Sequence, residues 1–257
     1  MYDLIIVGAG PAGTSAALYG NRLGLQTLLL DKSKFPRDKT CGDALSGKSV
    51  KILDDLNLVE GVNKLDGSII KRIIFANPKH SECELLLDKS LNKDHISHGY
   101  VIPRITFDNY MLEQAKKVSD VEEGFFVKDL LFDDKRVVGV SGKTDNGDRK
   151  EYRANIVLGA DGPNSIVSKK AGLYQMGMDH TAVGIRCYYE NVKDLTDQIE
   201  LHYVEEINPG YFWIFPAGKN RANIGVGLLK SIVKKESRKL SEIMTKIIES
   251  DHFKDRF

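Results

Sequence analysis

A glycine-rich segment near the amino terminus has the residue types and the spacing needed to bind a dinucleotide. Gly8, Gly10 and Gly13 form the pattern G-x-G-x-x-G. The first glycine of such a pattern permits a tight turn, the second lets a pyrophosphate approach, and the third lets a helix pack closely on a strand. Asp31 follows about 20 residues later, where a carboxylate can accept from a ribose hydroxyl. The segment predicts a dinucleotide site and leaves NAD and FAD open.

Two further groups of residues could do chemistry or bind a flat apolar molecule. Cys41 and Gly42 precede a predicted helix, where backbone N–H groups can hold a cofactor; a small buried cysteine without a chemical role is the alternative. Tyr211, Trp213 and Phe215 alternate, so in a strand they share one face. That face either packs against the domain core or lines an apolar cavity.

Two polar positions have both a local and a cofactor interpretation. Arg104 begins a predicted helix and is followed four residues later by Asp108, which is the spacing of a helical ion pair. A guanidinium there could instead pair with pyrophosphate oxygens. Asp161-Gly162 follows an apolar run, and a simple turn is the local interpretation.

Four separated segments carry a family resemblance. They are the glycine-rich segment, residues 35–46 with the K-x-C-G pattern, residues 157–165 with Asp161-Gly162, and residues 209–216 with the Y-x-W-x-F-P pattern. Together they resemble the geranylgeranyl reductase family of flavoproteins, within a superfamily of FAD proteins that includes aromatic hydroxylases and flavin-dependent halogenases. The second and fourth segments are the specific ones, because the other two occur across the superfamily.

The resemblance implies a cofactor, a substrate class and a set of site residues. FAD is the expected cofactor, with NAD(P)H or ferredoxin as the electron donor. The reaction implied is reduction of C=C bonds in an isoprenoid chain, of the geranylgeranyl or prenylquinone type, by hydride transfer from reduced flavin. Cys41 is the candidate catalytic residue, and the expected pocket for the apolar substrate is lined by Tyr211, Trp213 and Phe215. The residues expected at FAD are Gly8, Gly10, Ala12, Gly13, Asp31, Cys41, Gly42, Ala44, Arg104, Val127, Asp161 and Gly162.

Departures from the family pattern define the alternatives. No Gly-Asp motif follows Asp161, so we expect a chain truncated at its carboxyl end. Ala217 stands where archaeal members often carry lysine, which favours a bacterial-type relative. An FAD monooxygenase or halogenase is the first alternative, although halogenases carry Trp-x-Trp-x-Ile-Pro at the aromatic strand. A flavin electron-transfer protein without an organic substrate is the second.

The order of elements predicts an α/β fold. Residues 2–7 and 25–30 are apolar runs typical of buried parallel strands, and residues 11–23 between them have helical character. Later segments alternate in the manner of antiparallel strands, with a hairpin signal at residues 145–148. We predict a three-layer, Rossmann-like FAD domain (1–65 with 104–175) interleaved with an antiparallel-sheet α+β substrate domain (66–103 with 176–257).

Composition narrows the class of partner. The 257 residues carry a net charge of +1, which gives no reason to expect nucleic acid. Three separated cysteines show neither metal-ligand spacing nor a disulfide framework, and the six histidines show no ligand spacing, so we expect no metal. The N-terminus has no signal-peptide features, and no apolar run is long enough to span a membrane. We expect a cytoplasmic protein, with peripheral membrane contact through the basic residues near 230–239 as the minority alternative.

Overall fold

The computed structural model describes residues 1–87, 97–235 and 239–257. The chain forms two compact units, and each is assembled from separate stretches: residues 1–38 with 105–175, and residues 39–104 with 176–257. The predicted boundary at residue 65 differs from this division. Residues 39–65 belong to the second unit because strand Ala44–Leu45 pairs there with strand Gly99–Val101.

The elements are numbered in chain order. The strands are β1 (Tyr2–Val7), β2 (Thr27–Asp31), β3 (Ala44–Leu45), β4 (Ser68–Ile70), β5 (Arg72–Ala76), β6 (Glu82–Leu86), β7 (Gly99–Val101), β8 (Asp120–Glu123), β9 (Phe125–Asp133), β10 (Arg136–Thr144), β11 (Arg149–Gly159), β12 (Ala182–Glu190), β13 (Gln198–His202), β14 (Tyr211–Pro216) and β15 (Arg221–Leu229). The helices are α1 (Pro11–Arg22), α2 (Gly47–Asp55), α3 (Val59–Val62), α4 (Arg104–Ala115), α5 (Ile166–Lys170), α6 (Lys230–Lys235) and α7 (Leu240–Ile248).

The first unit is built on one six-stranded sheet in the order β8-β2-β1-β11-β10-β9. The strands β8, β2, β1 and β11 run parallel, and β11, β10 and β9 continue as an antiparallel ribbon. The neighbouring inner strands β1 and β2 are apolar and largely buried, and their residues on both faces of the sheet contribute to core clusters. The hairpin predicted at residues 145–148 is confirmed between β10 and β11, with Gly147 at a φ of 89°.

The second unit contains a six-stranded sheet in the order β12-β15-β14-β13-β5-β6 and a small sheet in the order β3-β7-β4. Its strands pair antiparallel except for β13 with β5. One face of the large sheet is buried with helix α7, and the other carries a second cluster that includes Trp213 and Phe215. The predicted combination of a Rossmann-like α/β domain and an interleaved α+β domain is therefore confirmed as the fold class.

Some predicted elements differ in detail. The helical pattern over residues 44–58 begins instead as the short strand β3, and α2 ends before Asn57, which has a φ of 58°. The pattern over residues 232–249 corresponds to α6 and α7, and residues 236–238 lie outside the described part. Among the described residues, no helix combines the length and the apolar character that crossing a membrane would require.

Candidate functional site

The glycine-rich loop of the first unit is closed by backbone contacts that only glycine permits. Gly8 has a φ of 104°, and a Cβ placed on it would lie 2.4 Å from the carbonyl oxygen of Ala160. A Cβ on Gly13 would lie 1.8 Å from the carbonyl oxygen of Gly8. Any side chain at either position would therefore force the strand, the turn and the helix apart. The loop has the tight turn and the close helix approach expected of a dinucleotide site.

The amino terminus of α1 can receive an anion. The helix begins at Pro11 directly after Gly10, and no side chain caps it. Proline has no N–H to donate, and its fixed φ suits the first helical position. The N–H groups of Ala12 and Gly13 lie in this first turn, at the positive end of the helix dipole, and Ala12 is exposed. This cradle fits the pyrophosphate of a dinucleotide.

Asp31 is the last residue of β2, and its side chain is hydrogen-bonded to the glycine-rich loop. The residue is 9% exposed, and its Oδ2 accepts a hydrogen bond from the N–H of Ala9 at 2.7 Å. Its Oδ1 accepts from the N–H of Ser33 at 2.8 Å. Each carboxylate oxygen can accept a further bond, so a ribose hydroxyl remains a chemically suitable partner. Asp31 therefore holds the loop in shape, and its contact with a ribose stays a prediction.

The Asp161-Gly162 segment lies against the glycine-rich loop. The Cα of Asp161 is 2.8 Å from the point at which Gly8 would carry a Cβ. The carboxylate of Asp161 accepts hydrogen bonds from the hydroxyl of Ser165 at 2.5 Å and from the N–H of Ile166 at 2.6 Å, so it caps α5. The structure thus brings together the first and third segments of the resemblance. The turn already engages the Asp161 side chain, and its contact with FAD stays a prediction.

Three other predicted positions have structural surroundings of their own. Val127 is 4% exposed, and its side chain packs in the core of the first unit. Arg104 is the half-buried first residue of α4. Asp108, the ion-pair partner that the sequence suggested for Arg104, is fully buried and accepts a hydrogen bond from Arg37 at 2.8 Å. Arg37 lies in the second segment of the resemblance and was not among the predicted site residues.

In the second unit, Trp213 lies on a floor of glycines. A Cβ on Gly225 would be 2.2 Å from Cζ2 of the indole, and Cβ atoms on Gly184 and Gly227 would each be 3.6 Å from the ring. Without side chains at these positions the indole can lie close to the sheet instead of standing away from it. Two neighbouring strands therefore supply the space that positions this side chain.

The Cys41-Gly42 segment packs against the same aromatic strand. A Cβ on Gly42 would lie 3.0 Å from the Phe215 ring and 3.8 Å from the indole nitrogen of Trp213. Trp213 and Phe215 are consequently buried, at 8% and 7% exposure, whereas Tyr211 is 39% exposed. The structure brings the second and fourth segments together. Of the three aromatic residues expected to line a substrate pocket, Tyr211 is the one that is exposed within this unit. The substrate pocket stays a prediction.

Sequence reasoning missed a buried polar network beside Cys41. Asn223 donates to the carbonyl oxygen of Cys41 at 2.8 Å and to Asp43 Oδ2 at 2.7 Å, and Tyr188 donates to the same oxygen at 2.5 Å. Burial raises the pKa of Asp43, whereas the hydrogen bonds from Tyr188 and Asn223 act to lower it. The available signals were Asp43 itself, inside the resembling segment, and Asn223, a polar residue in an otherwise apolar strand.

A second missed cluster lies on the opposite face of this sheet. Glu200 accepts hydrogen bonds from both terminal nitrogens of Arg256, at 2.6 and 2.9 Å, and contacts His202 Nε2 at 3.0 Å. Burial acts to raise the pKa of Glu200, but hydrogen bonds from His202 and Arg256 outweigh it and lower the pKa to about 2. The signal was the alternation of Glu200 and His202, which places both on one face.

The fold and the loop define a class. A parallel sheet whose first strand enters α1 through a glycine turn, interleaved with a unit built on an antiparallel sheet, is the arrangement of dinucleotide-binding flavoproteins. Comparison with known families agrees, because the model described as "FAD binding domain" matches residues 1–255. The chain belongs to the FAD-binding domain family.

The relatives connect the chain to reductases of isoprenoid compounds. Digeranylgeranylglycerophospholipid reductase 1 of Methanopyrus kandleri is 34% identical over 236 residues, which cover 88% of this chain and 58% of that protein. The predicted resemblance to the geranylgeranyl reductase family is thereby confirmed. The chain spans less than two thirds of the length of such relatives.

Two solved structures share the fold. A geranylgeranyl bacteriochlorophyll reductase-like protein of Thermoplasma acidophilum has a TM-score of 0.83 and 26% identity, over 96% of this chain and 61% of that one. A flavin-dependent brominase triple mutant has a TM-score of 0.85 and 23% identity, over the whole of this chain and 64% of that one. At that identity, the likeness to the brominase concerns the fold alone.

Proposed function

We propose that the protein containing this chain is an FAD-dependent reductase that saturates C=C bonds of an isoprenoid chain. The observation that carries the proposal is the packing of the Cys41-Gly42 segment on the Y-x-W-x-F-P strand at Trp213 and Phe215. These two segments are the most family-specific parts of the sequence, and they lie far apart in it. Their contact supports this reaction above others available to the fold, as does the 34% identity to a digeranylgeranylglycerophospholipid reductase.

The residues of the first unit have the task of binding the cofactor. The loop from Gly8 to Gly13 would receive the pyrophosphate at the N-terminus of α1, and Asp31 would accept from the ribose. The backbone at Asp161, against Gly8, would complete this side of the cradle. From the family resemblance, the guanidinium of Arg104 would pair with the phosphate oxygens.

The residues of the second unit have the task of orienting the substrate and supplying a proton. When bound and reduced, FAD would supply hydride for one alkene carbon, and residues of this unit would have to deliver a proton to the other, so that two hydrogens add to each double bond. Cys41 is the candidate proton donor because it is half-buried and lies beside the aromatic strand; the hydroxyl of Tyr211, an exposed residue, is the alternative. The aromatic side chains suit a prenyl chain, which binds through apolar area.

The proposal is tested with the full-length protein, dithionite-reduced FAD and two substrates, a geranylgeranyl lipid and a prenylquinone. Mass spectrometry should show products heavier by two hydrogens for each double bond saturated. Cys41→Ser should lower kcat with either substrate, with Cys187→Ser, an exposed thiol in the same unit, as the matched control. The proposal is overturned if no double bond of either substrate is reduced and an aerobic assay, with NADPH in place of dithionite, shows substrate-dependent oxygen uptake with a hydroxylated or halogenated product.

The same experiment ranks the substrate class. The Ala217 side chain is fully buried in the cluster that contains Trp213 and Phe215, so this position offers no cation to a phosphate headgroup. We therefore expect the prenylquinone to be reduced with a higher kcat/KM than a phospholipid-bound geranylgeranyl chain. Comparison of the two substrates with both NADPH and reduced ferredoxin identifies the electron donor.

A further inference from the structure

Four side chains of the second unit form a continuous hydrogen-bonded chain from the aromatic strand to the segment containing Cys41. The indole N–H of Trp213 donates to Asn223 Oδ1 at 2.9 Å. Asn223 Nδ2 donates in turn to Asp43 Oδ2 at 2.7 Å, and the hydroxyl of Tyr188 donates to the same oxygen at 2.5 Å. The chain thus joins strands β14, β15 and β12 to the residue that follows Gly42.

Asn223 uses both the oxygen and the nitrogen of its side-chain amide to link the sheet to the Cys41-Gly42 segment. It is fully buried, its oxygen accepts from Trp213, and its nitrogen donates to the Cys41 carbonyl oxygen at 2.8 Å as well as to Asp43. A buried amide that loses a partner bears the desolvation cost of the unsatisfied group. The orientation of Asn223 is therefore specific, since rotation of the amide by 180° would break all three bonds.

Asp43 combines a left-handed backbone conformation with a buried, hydrogen-bonded side chain. Its φ is 67°, which lies in the left-handed region, and its residue surface is 1% exposed. Its carbonyl oxygen accepts from the N–H of Ile102 at 3.1 Å, next to the pairing of β3 with β7. Aspartate is one of the few non-glycine residues that adopt this region readily, so the backbone needs no glycine here. The hydrogen bonds from Tyr188 and Asn223 fix the side chain.

Burial raises the pKa of Asp43, and its hydrogen-bond donors together with one nearby guanidinium act to lower it. The groups that face it are Tyr188 and Arg186 on β12, Asn223 on β15 and the backbone of Arg104 at the start of α4. The Tyr188 ring has two guanidinium groups near it, with Arg186 Cζ at 4.5 Å and Arg221 Cζ at 5.5 Å from its centre. A buried carboxylate is costly unless its oxygens are well paired, so loss of these partners would strongly disfavour the present arrangement.

We infer that Asp43 is a positioning residue: with Asn223 and Tyr188 it clamps the Cys41-Gly42 segment onto the face of β14 that carries Trp213 and Phe215. The clamp fixes where the Cys41 thiol and the Gly42 backbone stand. Its importance for turnover rests on the proposed function, but the clamp itself does not. It can therefore be tested without cofactor or substrate.

The test uses Trp213, the one tryptophan of the 257-residue chain, and Cys41 as two probes of the segment. In a background with Cys83→Ser and Cys187→Ser, both exposed positions, the alkylation rate of Cys41 reports how often the segment opens. Asp43→Asn puts an amide nitrogen or a neutral oxygen opposite the donors. It should raise the alkylation rate about tenfold, the size expected when buried donors lose their acceptor or keep only a weaker one. Acrylamide should quench Trp213 fluorescence more strongly in the variant.

Matched variants separate positioning from general destabilisation. Tyr188→Phe keeps the ring and removes only the hydroxyl, so it should raise the alkylation rate in the same direction by a smaller factor. Asp197→Asn removes a surface carboxylate that pairs with Arg72 in the same unit, and it should leave the rate unchanged. If Asp43→Asn fails to fold, Tyr188→Phe alone decides the question.

The pH dependence of Cys41 alkylation distinguishes a positioning role of Asp43 from a purely structural one. Since burial raises the pKa of Asp43, the clamped state binds its proton more tightly than an opened, solvated segment does. Opening, corrected for the thiolate fraction of Cys41, should therefore increase as the pH rises through the Asp43 titration, and this step should be absent in Asp43→Asn. Wild-type alkylation rates in both Asp43→Asn and Tyr188→Phe would overturn the inference. A clamp that behaves as expected in a protein without isoprenoid reductase activity would instead refute only the proposed function.

Discussion

The buried cluster at Glu200 allows the acid sensitivity of the second unit to be predicted. Glu200 is 5% exposed and accepts two hydrogen bonds from Arg256, with His202 on the same oxygen as one of them. Burial acts to raise its pKa, and the hydrogen bonds from His202 and Arg256 outweigh burial and lower the pKa to about 2. The perturbation that tests this is Glu200→Gln, which keeps the shape and removes the charge.

The magnitude follows from the displacement of the pKa. Its ordinary value is 4.5, and each unit corresponds to about 1.36 kcal/mol, so ionised Glu200 stabilises the folded unit by on the order of 3 kcal/mol. Because the folded-state pKa is depressed, this contribution is present above the ordinary value and is lost as the pH falls through the folded value. Glu200→Gln has no such step. It is also less stable near neutral pH, because Arg256 loses its counter-charge in a buried setting.

The assay is urea unfolding from about pH 7 down to about pH 2, followed by the fluorescence of Trp213, which lies in the same sheet as Glu200. The wild-type free energy of unfolding should fall more steeply below about pH 4.5 than that of Glu200→Gln, with the two curves converging at low pH. Glu242→Gln, an exposed carboxylate paired with Lys239, is the control and should follow the wild type. Parallel curves for wild type and Glu200→Gln over the whole range would refute this reasoning.

Three other substitutions probe the loop and the aromatic strand. Gly13→Ala should abolish FAD binding, measured as flavin absorbance of the purified protein, because its Cβ would overlap the loop backbone; Gly177→Ala, where the nearest side-chain atom is 3.4 Å away, should retain flavin. Asp31→Asn should weaken FAD binding about tenfold in a fluorescence titration, because an amide nitrogen replaces one acceptor of a backbone N–H; an unchanged Kd would contradict this role. Gly225→Ala should destabilise the second unit by about 1–3 kcal/mol and shift Trp213 emission to the red, and a variant with native emission would show that the indole does not need the glycine floor.

Elements with a strong local pattern could be predicted from the sequence. Strands β1 and β2 are uninterrupted apolar runs, and the turn after β10 contains the Asn-Gly pair that favours hairpins. Strand β8 could not be predicted, because three of its four residues are acidic and it joins the sheet only as an edge strand beside β2. The end of α2 was missed because Asn57 adopts a left-handed conformation that its apolar surroundings did not signal.

The candidate site likewise contains residues that could be predicted from the sequence and residues that could not. The glycine loop is local, so Gly8 and Gly13 could be identified from their spacing. The clamp is not local: Asp43 is separated by 145 positions from Tyr188 and by 180 from Asn223. These side chains meet only because β12 and β15 pair along their full lengths, which no period in the sequence specifies. The burial of Trp213 and Phe215 likewise depended on Gly42, because without a side chain at that position the segment can lie on the rings.

The pairing of β1 with β11 has a consequence for synthesis of the chain on the ribosome. Tyr2 lies beside Ala154, so the first strand made must wait for a partner that emerges about 150 residues later, on the order of ten seconds at typical translation rates. Strand β5 of the second unit waits similarly for β13. Both nascent sheets therefore present apolar strand edges together until β11 and β13 have emerged. Until these partners have emerged, the exposed strand edges are a risk for aggregation, and chaperones that bind nascent chains have access to them.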